Sequence, residues 1–168
     1  MLFRSEIIDI YQDIIAIEFR SYNNNRRIRS MSVVNELINA QGESLEFGNY
    51  ELGAKTKKDG FEFQGDIYKI KTFNEITKLE KNGMFVYESV PGTAVHGFKA
   101  DENDVTFVVE GPENASITLE LEPETEYKVH VDDVYVGKNK TNLGGKMSIS
   151  VDLEEGRPVK VDVKRAFD

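Results

Sequence analysis

The chain has 168 residues, 39% of them hydrophobic and 30% charged, with a formal net charge of -9, a sequence pI near 4.9 and no cysteine. That is the make-up of one ordinary globular domain with a real core, and it excludes disulfides, thiolate chemistry and cysteine-based zinc sites. The acidic balance disfavours phosphate backbones and anionic lipid surfaces, and no apolar run approaches the ~20 residues of a membrane span, so neither nucleic acid nor a membrane is an expected partner.

Residues 1–30 differ from the rest. They hold seven isoleucines, the run Asn23 to Asn25, no glycine and no proline. Five of the 21 basic residues lie here, all arginine (Arg4, Arg20, Arg26, Arg27, Arg29), whereas the remainder has fourteen lysines and only Arg157 and Arg165. Two arginine habits suggest two origins. Arg26-Arg27 can be encoded AGG-AGG, a bacterial ribosome-binding sequence, three codons ahead of Met31, and "LFRS" at 2–5 is what the end of a common sequencing adapter encodes. The expectation is a native start at Met31 and a non-native extension before it. The alternative is a helical or disordered extension, because Ile7, Tyr11, Ile14, Ile15 and Glu18 fall at helical spacing. Glu6, Asp9, Asp13 and Glu18 interrupt the apolar core that an export signal needs, so a cytoplasmic location is expected.

"MSVVNELINAQG" offers Ser32 as an N-cap, an apolar face of Val33, Val34, Leu37 and Ile38, and Gly42 as a stop, which predicts a short N-terminal helix. Strand signals then recur roughly every 8–12 residues, the spacing of a sandwich or barrel. "SLEFGNYEL" reads as strand through Leu45, Phe47, Tyr50 and Leu52. "GFEFQGDIYKIKTF" sets Phe61 and Phe63 before a turn at Gly65-Asp66, then Tyr68, Ile70 and Thr72 opposite Ile67, Lys69 and Lys71. "EITKLEKNGMFVYESV" turns at Asn82-Gly83, the strongest short hairpin signal, because both central positions need positive φ. Phe85, Tyr87 and Ser89 then oppose Val86, Glu88 and Val90, "PGTAV" is a turn, and "HGFKADENDVTFVVEG" is a hairpin around Asp101 to Asn103.

The last third alternates most strictly. Ile117, Leu119 and Leu121 share one face, as do Tyr127, Val129 and Val131, which return through Asp132-Asp133 to Val134 and Val136 on the inward side. Met147, Ile149 and Val151 follow a turn at Gly144-Gly145, and Val159, Val161 and Val163 close the chain. Period 2 with Glu, Lys, Thr and Ser opposite means one packed face and one wet face. The predicted fold class is all-β: an antiparallel β-sandwich, Ig-like in its C-terminal part, preceded by the short helix. Residues 31–168 are expected to form a single β-rich domain, with "VEGPENAS" (109–116) as its best internal boundary.

The stretches "TFNEITKLEKNGMFVYESVPGTAV", "LELEPETEYKV" and "KTNLGGKMSISVDLEEG" resemble a group of small proteins of clostridia and related gut bacteria that carry the label endosialidase catalytic beta chain. The resemblance runs from about Met31 to Arg165 and implies an endosialidase-like system. The ending "YKVHVDDVYVGKNKTNLGGKMSISVDL" is also similar to small β-modules appended to polysaccharide-acting enzymes, which implies carbohydrate binding. Neither resemblance carries a catalytic motif.

The residues speak against sialidase chemistry. Holding a sialoside carboxylate takes converging guanidiniums, and the body has two arginines and a net charge of -10 once residues 1–30 are set aside. His96 and His130 are the only histidines. His130 and Asp132 share a strand face that reads as solvated rather than catalytic. Neither Asp132-Asp133 nor Glu122 to Glu126 has the spacing of a calcium loop. No catalytic residue, metal ligand or cofactor is expected. Phe61, Phe63, Tyr68, Phe85 and Tyr87 could stack on a sugar, with Tyr68 and Tyr87 as the candidate binding residues, but alternation assigns them to a buried face. The resulting expectation is a non-catalytic cytoplasmic β-domain for binding or assembly, self-associating through a sheet edge or face. The alternative is a carbohydrate-binding or accessory module with a glycan as partner.

Overall fold

The computed structural model describes Gln12 and residues 33–167. The expectations placed on residues 1–30, on a start at Met31 and on Ser32 as an N-cap lie outside the described residues, Gln12 excepted.

Among the described residues thirteen strands follow one another: β1 (Ile38–Gln41), β2 (Ser44–Phe47), β3 (Thr56–Phe63), β4 (Asp66–Thr72), β5 (Thr77–Lys81), β6 (Met84–Val90) and β7 (Ala94–Ala100). Then come β8 (Asp104–Glu110), β9 (Ala115–Glu120), β10 (Glu126–Val131), β11 (Val134–Lys140), β12 (Lys146–Val151) and β13 (Val159–Arg165). They form a seven-stranded sheet, β1-β2-β7-β8-β13-β10-β11, and a six-stranded sheet, β12-β9-β6-β5-β4-β3. Every pairing is antiparallel. The sheets pack as a β-sandwich around one apolar core to which both contribute.

Alternation decides the inward faces. Ile70, Leu79, Ile117 and Val161 are fully buried, and each is worth roughly 1.5–3 kcal/mol relative to exposure. Four rings knit the centre: Phe47 meets Tyr87 at 5.2 Å and Phe98 at 5.4 Å, and Tyr87 meets Phe107 at 5.7 Å, all edge to face. The Asn82-Gly83 turn is where the sequence placed it, with both residues at positive φ, and Gln64-Gly65 and Asp132-Asp133 turn the same way.

The short helix is corrected. Residues 33–37 make turns, and Ile38–Gln41 is strand β1, paired with β2 so that Ile38 lies opposite Phe47. Leu37 sits at φ 68, outside helical space. A helix this short cannot repay its own nucleation, whereas the hairpin buries Ile38 and Phe47 completely. Tyr50 and Leu52 are corrected too: Gly48 ends β2 and they lie in the loop to β3. Val134 and Val136 do not return to the core. They are 62% and 59% exposed, because β11 is the outermost strand of its sheet.

The segment expected as an internal boundary contains the loop 111–114, by which the chain crosses from one sheet to the other. Strands from before and after it pair in both sheets, β8 with β13 and β6 with β9.

Candidate functional site

Tyr68 and Tyr87 do not form a stacking platform. Tyr87 is wholly buried in the ring cluster, and its hydroxyl is shared with Thr93 Oγ1 at 2.8 Å. Tyr68 is 8% exposed and packs against Phe63 with ring centres 6.3 Å apart. Both point inward because they alternate with the outward residues of β4 and β6, so neither offers a ring face to a sugar. Phe61, Phe63 and Phe85 are half-buried, and lysine ammonium groups lie over Phe61 and Phe85.

Beneath the loop before β7 lies a knot of buried hydroxyls. Thr72 Oγ1 and Thr77 Oγ1 are 2.8 Å apart, Thr77 Oγ1 donates to Thr93 O at 2.8 Å, and Ser89 Oγ meets Thr93 Oγ1 at 2.7 Å. Asn49 N donates to Thr72 Oγ1 at 2.9 Å. All four hydroxyl residues are completely buried. Each group has a partner, so the knot ties loops together and has no unsatisfied atom to offer a ligand.

A cleft of about 420 Å³ opens between the sheets beside the β7–β8 turn, lined by Phe63, Tyr68 and Phe98 together with Asp66, Asp101 and Asp104. Two of its acids are already engaged within the fold. Asp101 accepts from Asn103 N and Asp104 N at 2.8 and 2.9 Å, and these bonds hold its carboxyl below the usual carboxylate range. Asp66 is held low by the Asn82 amide and then by Lys81, whose Nζ lies 3.2 Å away. Carboxylates kept ionised in this way are poor proton donors near neutral pH.

The remaining chemical candidates are dispersed. His96 Nδ1 lies 3.1 Å from Glu46 Oε2 on β2. His130 packs at a tilt against Tyr135 with ring centres 5.5 Å apart, half-buried rather than solvated as expected, and its Nδ1 is buried without a hydrogen-bond partner. Asp132 does not join it, since its carboxylate accepts Lys160 N at 3.0 Å. Arg157 pairs with Glu154, and Arg165 lies over Phe167. They flank opposite ends of β13, about 25 Å apart at the rise of a strand. Among the described residues no group of three histidines and carboxylates could hold a metal ion, and no helix is long and apolar enough to cross a membrane.

The start of β11 carries three exposed apolar residues in a row. Val134, Tyr135 and Val136 follow one another at 62%, 53% and 59% exposure, and Leu143 in the following loop is exposed as well. The sequence set Val134 and Val136 on the inward side, and Val134 does lie opposite the core-facing Val131, but on an outermost strand that side is left uncovered. Their exposure follows from strand order, which local pattern does not encode. Compared with known proteins, the chain matches no family model, no curated protein and no solved structure.

Proposed function

We propose that this chain is a non-catalytic assembly domain whose partner is a second copy of itself, bound through β11. One observation carries the reading: three consecutive apolar side chains stand uncovered on an outermost strand, where a lone exposed apolar residue would mean nothing. Charge supports a two-fold arrangement. Asp133, which also pairs with Lys160 at 3.0 Å within the chain, precedes the strand, and Lys140 ends it. An axis near Val136 lays the acidic end of each copy against the basic end of the other, an isologous contact.

The strand is also blunted. Val136 is the extra residue where β10 and β11 shift register, and Gly137 follows at φ 140. Bulges and edge lysines discourage strand addition, so the side chains of Val134, Tyr135 and Val136 carry the contact rather than a continued sheet. One strand end covers less than the ~1,600 Å² of a standard interface, so the dimer is weak and concentration-dependent. A cytoplasmic location belongs to the same proposal. The endosialidase activity that the resemblance implies does not, since two separated and engaged arginines give it no support.

Sedimentation equilibrium tests the reading. The weight-average mass should rise from monomer towards dimer with concentration, and Tyr135→Lys should hold it at monomer. A mass that stays at monomer throughout, or a Tyr135→Lys protein that associates unchanged, overturns it.

A further inference from the structure

The outer face of the six-stranded sheet carries a feature that stability alone opposes. Lys57 lies directly opposite Lys71, and Lys71 directly opposite Lys78, across three neighbouring strands. Like charges placed opposite each other destabilise a sheet. Lys55, just before β3, adds a fourth ammonium, 5.9 Å from the ring centre of Phe73. Only Lys78 is neutralised, by Glu80 at 3.4 Å, with Glu88 its opposite neighbour on β6. Among the described residues Lys55, Lys57 and Lys71 form no ion pair. Three lysines set directly opposite one another across neighbouring strands need a reason even with Glu80 and Glu88 beside the last of them.

Beside the row lies an open cleft of about 750 Å³, lined by Lys55 and Lys71 together with Tyr50, Phe73, Asn74 and Pro91. Glu75 and Glu113 also line it. Lys71 is half-buried there. Its ammonium is held below the usual lysine range, first by that burial and then by Lys55, Lys78 and Lys57, against the opposing pull of Glu88. An anion resting between these groups would relieve the repulsion that the strand register imposes. Lysines act on oxyanions as point charges, and several of them suit a doubly charged group better than a single carboxylate.

We propose that Lys55, Lys57 and Lys71 form an anion site that takes a small molecule bearing a phosphate or sulfate group, its body lying in the cleft against Phe73 and Pro91. The site is independent of β11 and of self-association.

The full chain is titrated with inorganic phosphate, inorganic sulfate and acetate, each against chloride at matched ionic strength. Amide shifts of Lys55, Lys71 and Phe73 are the readout. Saturating shifts with phosphate or sulfate are expected, and the tighter of the two names the ester. Lys71→Gln and Lys55→Gln should each weaken that binding about tenfold, the worth of one charge-assisted contact. The same spectra show that both variants are folded. Without an oxyanion at low salt, Lys71→Gln should melt no lower than the parent, because it removes repulsion rather than support. Shifts that merely follow ionic strength, acetate binding as tight as both dianions, or unchanged affinity in the two variants would overturn the proposal.

Discussion

The Thr77 hydroxyl stands 2.8 Å from the carbonyl oxygen of Thr93 and 3.1 Å from its amide nitrogen, so one side chain of β5 satisfies both backbone groups of the residue that leads into β7. It also meets Thr72 Oγ1, which in turn accepts from Asn49 N. Thr77→Val keeps the shape and strands three buried polar groups. A loss of ~2–4 kcal/mol in urea unfolding is expected, and Thr77→Ser should recover most of it. Equal losses in the two variants would show that the methyl group, not the hydroxyl, matters at this position.

Gly92 tests the same junction sterically. A Cβ there would fall inside the envelope of Phe73 O, a backbone atom that cannot swing away. Gly92→Ala should cost ~3 kcal/mol or leave little folded protein. Gly83→Ala faces open space at φ 78 and should cost only ~1 kcal/mol. Thermal melts of the two rank them, and the reverse order would contradict the register placed here.

Burial holds the Tyr87 hydroxyl far above its usual 10.0, against the lowering pull of its bonds to Thr93 and Ser89, and burial also raises Tyr50 and Tyr68. A raised folded value means that the unfolded chain ionises first as pH climbs. The stability is therefore complete below pH 10 and is lost above it. Urea midpoints should fall steeply between about pH 10 and 12. Tyr87→Phe should flatten that fall while costing ~1 kcal/mol at neutral pH for its lost hydrogen bond. An unchanged alkaline slope would mean that Tyr87 ionises normally.

Asp101 works in the opposite sense. Its carboxylate is held below 3.8 by Asn103 N and then Asp104 N. The support it gives the β7–β8 turn is present above that pH and is lost as pH falls through the lowered folded value. The amide shifts of Asn103 and Asp104 should titrate together with a midpoint below 3.8. A midpoint at or above that value would remove the capping role.

Much of this architecture is legible from local pattern. Asn82-Gly83 announces its hairpin because two adjacent positive φ angles select those residues. Ile117 with Leu119, and Val159 with Val161, announce their inward faces by period 2 alone. What fails is what depends on partners distant in sequence. Val33 to Ile38 has helical spacing, yet pairing with Phe47 makes Ile38 a strand residue. Val134 has the alternation of a core residue, yet strand order leaves it on the rim. Thr72, Thr77 and Thr93 read only as polar residues until the fold brings their hydroxyls together. The lysine row appears only once β3, β4 and β5 are in register. Alternation already favours core over platform for Tyr68 and Tyr87, and both are buried.

The assembly reading is tested most directly by a charge exchange across β11. Lys140→Glu sets like charges against Asp133 in its own dimer, and Asp133→Lys sets like charges against Lys140 in its own. Mixed together, the two variants restore opposite charges at both ends of the contact. Sedimentation should show each variant alone several-fold weaker in association than the parent, and the mixture as a dimer near parental strength. A mixture that remains monomeric, or single variants that pair as well as the parent, would contradict self-association through this strand.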